Sequence, residues 1–289
     1  MNTVWKKEKE QVMTVLETYR NTLTNMGYHV LGLFCYGSQN YHMATPASDV
    51  DAYAIVLPSV TEFTYGTPVN QTVSMGNGEV KVKDIRVYAQ ELLKGNYSTL
   101  ESLVTPYRVA ANADVFKELD ALTDDLIRYD RMATIRSGLG SVEEMKRTME
   151  KHPETRWKQL GRIRHLHFFL RHMMTYRGDR TELKYALWGN ASFWKEPHPK
   201  LLKCRQLKET VSGDEDLWLQ AFREMTAADA DVRNQYETWK ETNWPQWKKG
   251  QEPRRKETEL ALAKWVKQVF LLELFRSGLD LEKLTRCML

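Results

Sequence analysis

Two aspartates one residue apart, Asp49 and Asp51, open an apolar run that continues to Leu57 and stops at Pro58. Alternate side chains of a strand share a face, so these two acids point the same way and are followed on that face by Tyr53, Ile55 and Leu57. Val50, Ala52, Ala54 and Val56 make the other face apolar, which predicts a central strand with its acidic start at the rim of a sheet. Like charges this close repel each other and are costly to desolvate. A divalent cation relieves both costs, and Mg²⁺ prefers carboxylates combined with substrate phosphates. One loop upstream, the apolar run Val30-Leu31-Gly32-Leu33-Phe34-Cys35-Tyr36 ends at Gly37-Ser38. A glycine there lets a phosphate approach the backbone, and a serine hydroxyl can donate to a phosphate oxygen. Downstream, Val80, Val82 and Asp84 fall on one face of a third run, Glu79 to Val87, so Asp84 is expected to deliver a third carboxylate. With two ions bound, one would activate an attacking hydroxyl, and the other would hold a triphosphate and the leaving pyrophosphate.

The run Tyr36-Gly37-Ser38-Gln39-Asn40-Tyr41-His42, then Ala44-Thr45-Pro46-Ala47-Ser48-Asp49-Val50-Asp51, resembles the nucleotidyltransferases of the DNA polymerase β superfamily. Within that superfamily it is most similar to the bacterial and phage nucleotidyltransferases of the YcgL and RNA-repair-associated type. Their pattern reads G-S-x-x-(aromatic)-x-x-(A/S)-x-x-x-S-D-x-D. The similarity continues through Asp84-Ile85-Arg86, Glu91-Leu92-Leu93-Lys94, Asn96 and Leu100-Glu101-Ser102-Leu103 to Thr105-Pro106, and so covers residues 30–106. It implies that Gly37, Ser38 and Ser48 bind an NTP, and that Asp49, Asp51 and Asp84 form a catalytic triad holding Mg²⁺, or Mn²⁺ in its place. Lys158, Arg162 and His165 lie where relatives carry a Lys, a His and an Arg on one helix, which implies further nucleotide contacts. Two of those three residue types differ here.

Residues 9–26 must form an amphipathic helix, because Val12, Leu16, Tyr19, Leu23 and Met26 recur at three- and four-residue steps before Gly27. From residue 89 onward the periodicity is helical, over 112–130, 141–151, 156–177, 199–211, 215–240 and 254–277. Ser98-Thr99-Leu100-Glu101 fits a capping box. The polar stretch Lys248-Lys249-Gly250-Gln251-Glu252-Pro253 reads as a surface loop. The expected fold is therefore α+β: a nucleotidyltransferase-fold mixed sheet with flanking helices in residues 1–106, then an all-helical domain over 107–289. The 289 residues carry 42% hydrophobic and 28% charged side chains with a net charge of +4, a globular composition. No apolar run approaches the roughly 18 residues of a membrane span. The first residues lack a signal peptide's apolar core. Three cysteines, Cys35, Cys204 and Cys287, are far apart, odd in number and without metal-like spacing, which makes a reducing, cytoplasmic setting the default.

Arg156, Lys158, Arg162, Arg164, Arg171, Arg177, Arg180 and Lys184 outnumber the acids between residues 156 and 184. They fit either a basic wall for a triphosphate or a nucleic-acid backbone, or a solvated helix face whose charges pair with acids elsewhere. His165 and His167 lie about 200° apart around a helix and cannot easily clasp one ion; with His172 they read as structural. His42 is expected near the site without being a catalyst, and Cys35 as a buried strand residue. Trp239, Trp244 and Trp247 read as packing residues, although aromatics beside lysines could also stack on bases. The expected activity is transfer of a nucleoside monophosphate to an acceptor hydroxyl, an RNA or tRNA 3′ end before a protein hydroxyl. The alternative is a non-catalytic nucleotide-binding or antitoxin-like module that keeps the same fold.

Overall fold

The first amphipathic stretch folds as helix α1 (Thr3–Asn25), and Val12, Leu16, Tyr19 and Leu23 bury the face their spacing defines. Gly27 ends the helix region at φ +93°, while Met26 stays exposed outside the stripe. The computed structural model describes residues 3–45, 48–111, 113–176, 178–209 and 215–276. Arg177, Cys287 and the Trp247 side chain lie outside the described residues, as do Pro46 and Ala47 of the aspartate motif.

Strand β1 (His29–Tyr36) leads through a 3₁₀ turn, Gly37–Tyr41, to β2 (Asp51–Leu57). A short helix, α2 (Val60–Thr64), precedes β3 (Asn70–Met75), β4 (Gly78–Asp84), α3 (Ile85–Leu93), α4 (Tyr97–Glu101) and β5 (Arg108–Ala110). The five strands form one mixed sheet in the order β3-β4-β2-β1-β5, in which β2 and β4 are parallel and the other neighbours antiparallel. Apolar on both faces beyond its acidic start, β2 occupies the centre as its sequence requires. Strand β3 was not foreseen; its polar run Asn70-Gln71-Thr72 lies at an edge, where one side faces water. Strand β5 carries the sheet past residue 106, beyond the expected end of the α+β part.

The helices that follow are α5 (Ala113–Ala121), α6 (Thr123–Tyr129), α7 (Arg131–Lys151), α8 (Arg156–Thr175), α9 (Arg180–Trp188), α10 (Pro199–Glu209), α11 (Glu215–Thr242) and α12 (Trp244–Arg276). The stretch 248–253 is not a loop: it lies inside α12, whose Pro245 sits in the first turn, where a missing N–H costs nothing. Among the described residues no helix is long and apolar enough to cross a membrane.

One apolar cluster joins α1 and the sheet face of Leu33, Cys35, Ala52, Ala54 and Val82 to Tyr107 and on into α7, α8, α9 and α11. The other face carries Leu31, Phe34 and Ile55 against Tyr88, Phe116 and Trp265 of α3, α5 and α12. A bulge between Val30 and Gly32 sends Leu31 and Leu33 to opposite faces despite their spacing of two. Gly32 is required there for space: a Cβ would stand 2.6 Å from Phe116 Cε2 and 3.0 Å from the Val109 carbonyl oxygen.

Gly32→Ala is therefore expected to cost about 1–3 kcal/mol by overpacking. Gly76→Ala, with nothing within 4 Å of the added Cβ, is the control. Thermal denaturation checks this, and equal midpoints for the two variants would reject the packing described.

Candidate functional site

The turn after β1 is built by contacts from distant parts of the chain. Gly37 adopts φ +79°, a left-handed conformation that favours glycine, and its N–H donates to Glu101 Oε1 at 3.0 Å. Glu101 lies at the end of α4, fully buried. It does not close a capping box with Ser98, because Asn96 caps α4 by accepting from the Thr99 N–H at 3.2 Å. Burial pushes the Glu101 carboxyl well above its ordinary range, opposed by the hydrogen bond from Gly37. The next residues are tied to the helical part: Trp188 Nε1 donates to the Asn40 carbonyl at 2.7 Å, and Lys208 Nζ to the Met43 carbonyl at 2.9 Å.

This turn faces the aspartates. Asp51, partly buried at the start of β2, accepts from the Glu79 N–H at 3.3 Å, and a Cβ on Gly37 would lie only 3.9 Å from Asp51 Oδ2. Asp49, exposed, precedes the strand. Both acids line a cavity of about 140 Å³ together with Tyr36, Gly37 and Ser38. Burial raises the Asp51 pKa, and the charge of Asp49 raises it further. Tyr36 stacks on Tyr53 with centroids 4.5 Å apart and donates to Glu79 Oε1 at 2.9 Å.

The opposite wall comes from α8 and α10. Lys158, Arg162 and His165, at i, i+4 and i+7 on α8, line the cavity with Lys208. Lys158 and Arg162 are exposed, and among the described residues neither they nor Lys208 form an ion pair; Arg162 Nη1 reaches only Gln159 Oε1 at 3.4 Å. Lys208 is brought down to about 8, chiefly by burial and then by Lys158 and Arg162. His165 stacks on Tyr41 at 4.1 Å and has Nε2 3.1 Å from the Leu187 carbonyl. Burial lowers it to about 4, so it is neutral at pH 7. Another side of α8 carries Arg156, Arg164 and Arg171, paired with Glu215, Glu224 and Asp231 of α11 at 3.0, 2.8 and 2.9 Å. The basic segment thus divides between a cavity wall and an ion-paired helix contact.

Asp84 is not brought to this site. In the parallel register Ala52 pairs with Val80 and Val56 with Asp84, so Asp84 lies at the far end of β2 from Asp51. That is roughly 16 Å at the rise of a strand. There it is fully buried, caps α3 through the Arg86 and Val87 N–H groups, and pairs with Arg86 at 2.5 Å. Lys81, aligned with Tyr53, lines the cavity instead. Ser48 is also displaced: its Oγ accepts from the Thr45 N–H at 2.9 Å, and it lines a separate depression with Gln39, Val50 and Arg205. Among the described residues no group of three or more His, Cys, Asp or Glu side chains converges on one point.

His42 is buried and stacks on Phe193 at 3.9 Å. His167 turns to Asp229 at 3.1 Å, and His172 Nδ1 to the Phe168 carbonyl at 3.0 Å. Cys35 is buried, which pushes its thiol up. Trp239 is a core residue 6.2 Å from the Trp244 ring, with Arg131 over its face. Sequence reasoning missed Lys81, Lys208, Tyr36 and the role of Glu101. A signal for Lys81 was present: Glu79, Lys81 and Lys83 put three charges on one strand face, opposite Val80 and Val82. Neither models of known protein families nor curated proteins match this chain.

Because the folded pKa of Glu101 lies above the unfolded value of 4.5, its neutral form contributes stability that is complete below that pH. This contribution is lost as pH rises through the folded value. Glu101→Gln keeps an acceptor for the Gly37 N–H and cannot ionise, so its stability relative to wild type should rise steadily with pH above 4.5. Denaturant melts across that range give the difference, and a pH-independent one would contradict the burial described.

Proposed function

We propose that this protein is a metal-dependent nucleotidyltransferase that transfers a nucleoside monophosphate from an NTP to an acceptor hydroxyl, with an RNA end as the acceptor. One observation carries the reading: the Gly37-Ser38 turn, the Asp49/Asp51 pair and the cations Lys158 and Arg162 of α8 line a single cavity. In this reading the turn at Gly37, whose N–H is given to Glu101, lets a phosphate approach closely, and the Ser38 hydroxyl donates to a phosphate oxygen. Lys158, Arg162 and Lys208 neutralise the triphosphate from the facing wall. The exposed Lys158 and Arg162 also favour a polyanionic acceptor over a protein hydroxyl.

The donor set fits a hard divalent cation. Asp49 and Asp51 are two oxygen-donor groups on one cavity; burial and then the charge of Asp49 raise Asp51, and a bound cation would relieve that repulsion. Mg²⁺ or Mn²⁺ there would supply charge neutralisation on the reacting phosphate, its remaining ligands coming from phosphate oxygens and water. The acceptor oxygen forms a bond to the α-phosphorus as the bond to the bridging oxygen breaks. Pyrophosphate leaves with that electron pair, and the hydroxyl proton passes to water. Catalysis rests on positioning and charge, with no covalent enzyme intermediate.

The placement of Asp84 in a helix cap favours one second reading, a nucleotide-binding module without turnover. Incubating the full chain with labelled NTPs, Mg²⁺ and either total RNA or protein extract separates the two. Label should enter RNA and fall at least ~100-fold in Asp49→Asn and Asp51→Asn. Tight NTP binding with no label transferred to either extract would replace transfer with the binding module. A pH series adds an internal check: ATP binding should weaken as pH rises through about 8, where Lys208 loses its proton, and Lys208→Arg should flatten that decline.

A further inference from the structure

Three charged side chains share the face of β4 that borders Asp51: Glu79, Lys81 and Lys83. The outer two are satisfied within the fold. Glu79 accepts from the Tyr36 hydroxyl at 2.9 Å, and buried Lys83 pairs with Glu91 at 2.5 Å. The middle one has no ion pair among the described residues. Lys81 Nζ lies 4.7 Å from the centroid of the Tyr36 ring and 5.7 Å from that of Tyr53, the stacked pair beside the cavity. Aromatic faces attract an ammonium but do not cancel its charge, so it remains available to an anion.

We propose that the Lys81 ammonium does in this cavity what a second divalent ion would otherwise do, contacting the triphosphate beside a single ion held by Asp49 and Asp51. The inference rests on the nucleotidyltransferase reading and goes beyond it by fixing the number of ions and assigning Lys81 to the substrate. The carboxylate supply points the same way. Asp84, the third acid, is committed to Arg86 and to the cap of α3, so a second ion would lack a protein carboxylate of its own. A like charge, Lys81, already lines the cavity and would repel a second ion there. The overall charge also balances. Four cations, Lys81, Lys158, Arg162 and Lys208, face two carboxylates in the cavity. One divalent ion brings the excess to about four positive charges, the magnitude of a fully ionised triphosphate; a second ion would overshoot it.

The test is a Mn²⁺ titration of the full chain followed by electron paramagnetic resonance, at saturating α,β-methylene-ATP, with nucleotide affinity measured in parallel. The wild-type protein should bind one Mn²⁺. Lys81→Met should keep that stoichiometry but lose roughly tenfold to a hundredfold in nucleotide affinity, and Lys81→Arg should restore most of it. Lys81→Asp, which supplies a third carboxylate, should admit a second ion. Two ions in the wild type, or undiminished affinity in Lys81→Met, would overturn the assignment while leaving nucleotide transfer standing. A wild-type chain that binds neither Mn²⁺ nor nucleotide would remove the nucleotidyltransferase reading, and this inference with it.

Discussion

A buried carboxyl beneath a backbone N–H holds the centre of this structure together. The Gly37 N–H donates to the fully buried Glu101, and an unpaired buried donor would cost about 1–3 kcal/mol. That contact fixes the turn after β1 at a left-handed glycine, and the turn in turn sets the distance between the Gly37 backbone and Asp51. The same loop is gripped from the helical part by Trp188 and Lys208. Both walls of the cavity are therefore joined through one loop.

Charge in the protein is divided by whether the fold has already neutralised it. Helix α8 illustrates this on its own circumference. Arg156, Arg164 and Arg171 form ion pairs with acids of α11, whereas Lys158 and Arg162 form none among the described residues. Strand β4 repeats the division over three alternate positions, with Lys83 paired and Lys81 left beside the cavity. Ion pairs at the partly exposed α8–α11 contact contribute little stability each, but they orient the helix. Lys158, Arg162 and Lys208, which form no ion pair among the described residues, share one cavity, and burial together with the neighbouring cations lowers Lys208.

Identical local patterns acquire different roles here. Ser59 with Glu62 and Asp179 with Glu182 form true capping boxes. Ser98 and Glu101 have the same spacing, yet Glu101 is drawn to Gly37 and Asn96 takes over the cap. Asp84 is the converse: an acid expected to leave the sheet toward the cavity instead caps the helix that begins at Ile85. A strand that turns directly into a helix exposes free N–H groups at that junction, and the aspartate beside them satisfies two.

What the sequence determined by itself were the local choices: the amphipathic face of α1, the central position of β2 with its acidic start, and the Gly37-Ser38 turn. Each depends on periodicity or on backbone chemistry carried by neighbouring residues. The resemblance singled out Lys158, Arg162 and His165 on one helix, and at i, i+4 and i+7 they share a face of α8. Only the tertiary structure decided that this face meets Asp49 and Asp51 across a cavity, that Lys208 joins it from α10, and that Lys81 rather than Asp84 lines that cavity. Those outcomes depend on the parallel register of β4 against β2 and on the approach of helices far apart in the chain. A difference of three residues along one strand moves a side chain to the other face and about 10 Å away, and no property of the residues themselves records it.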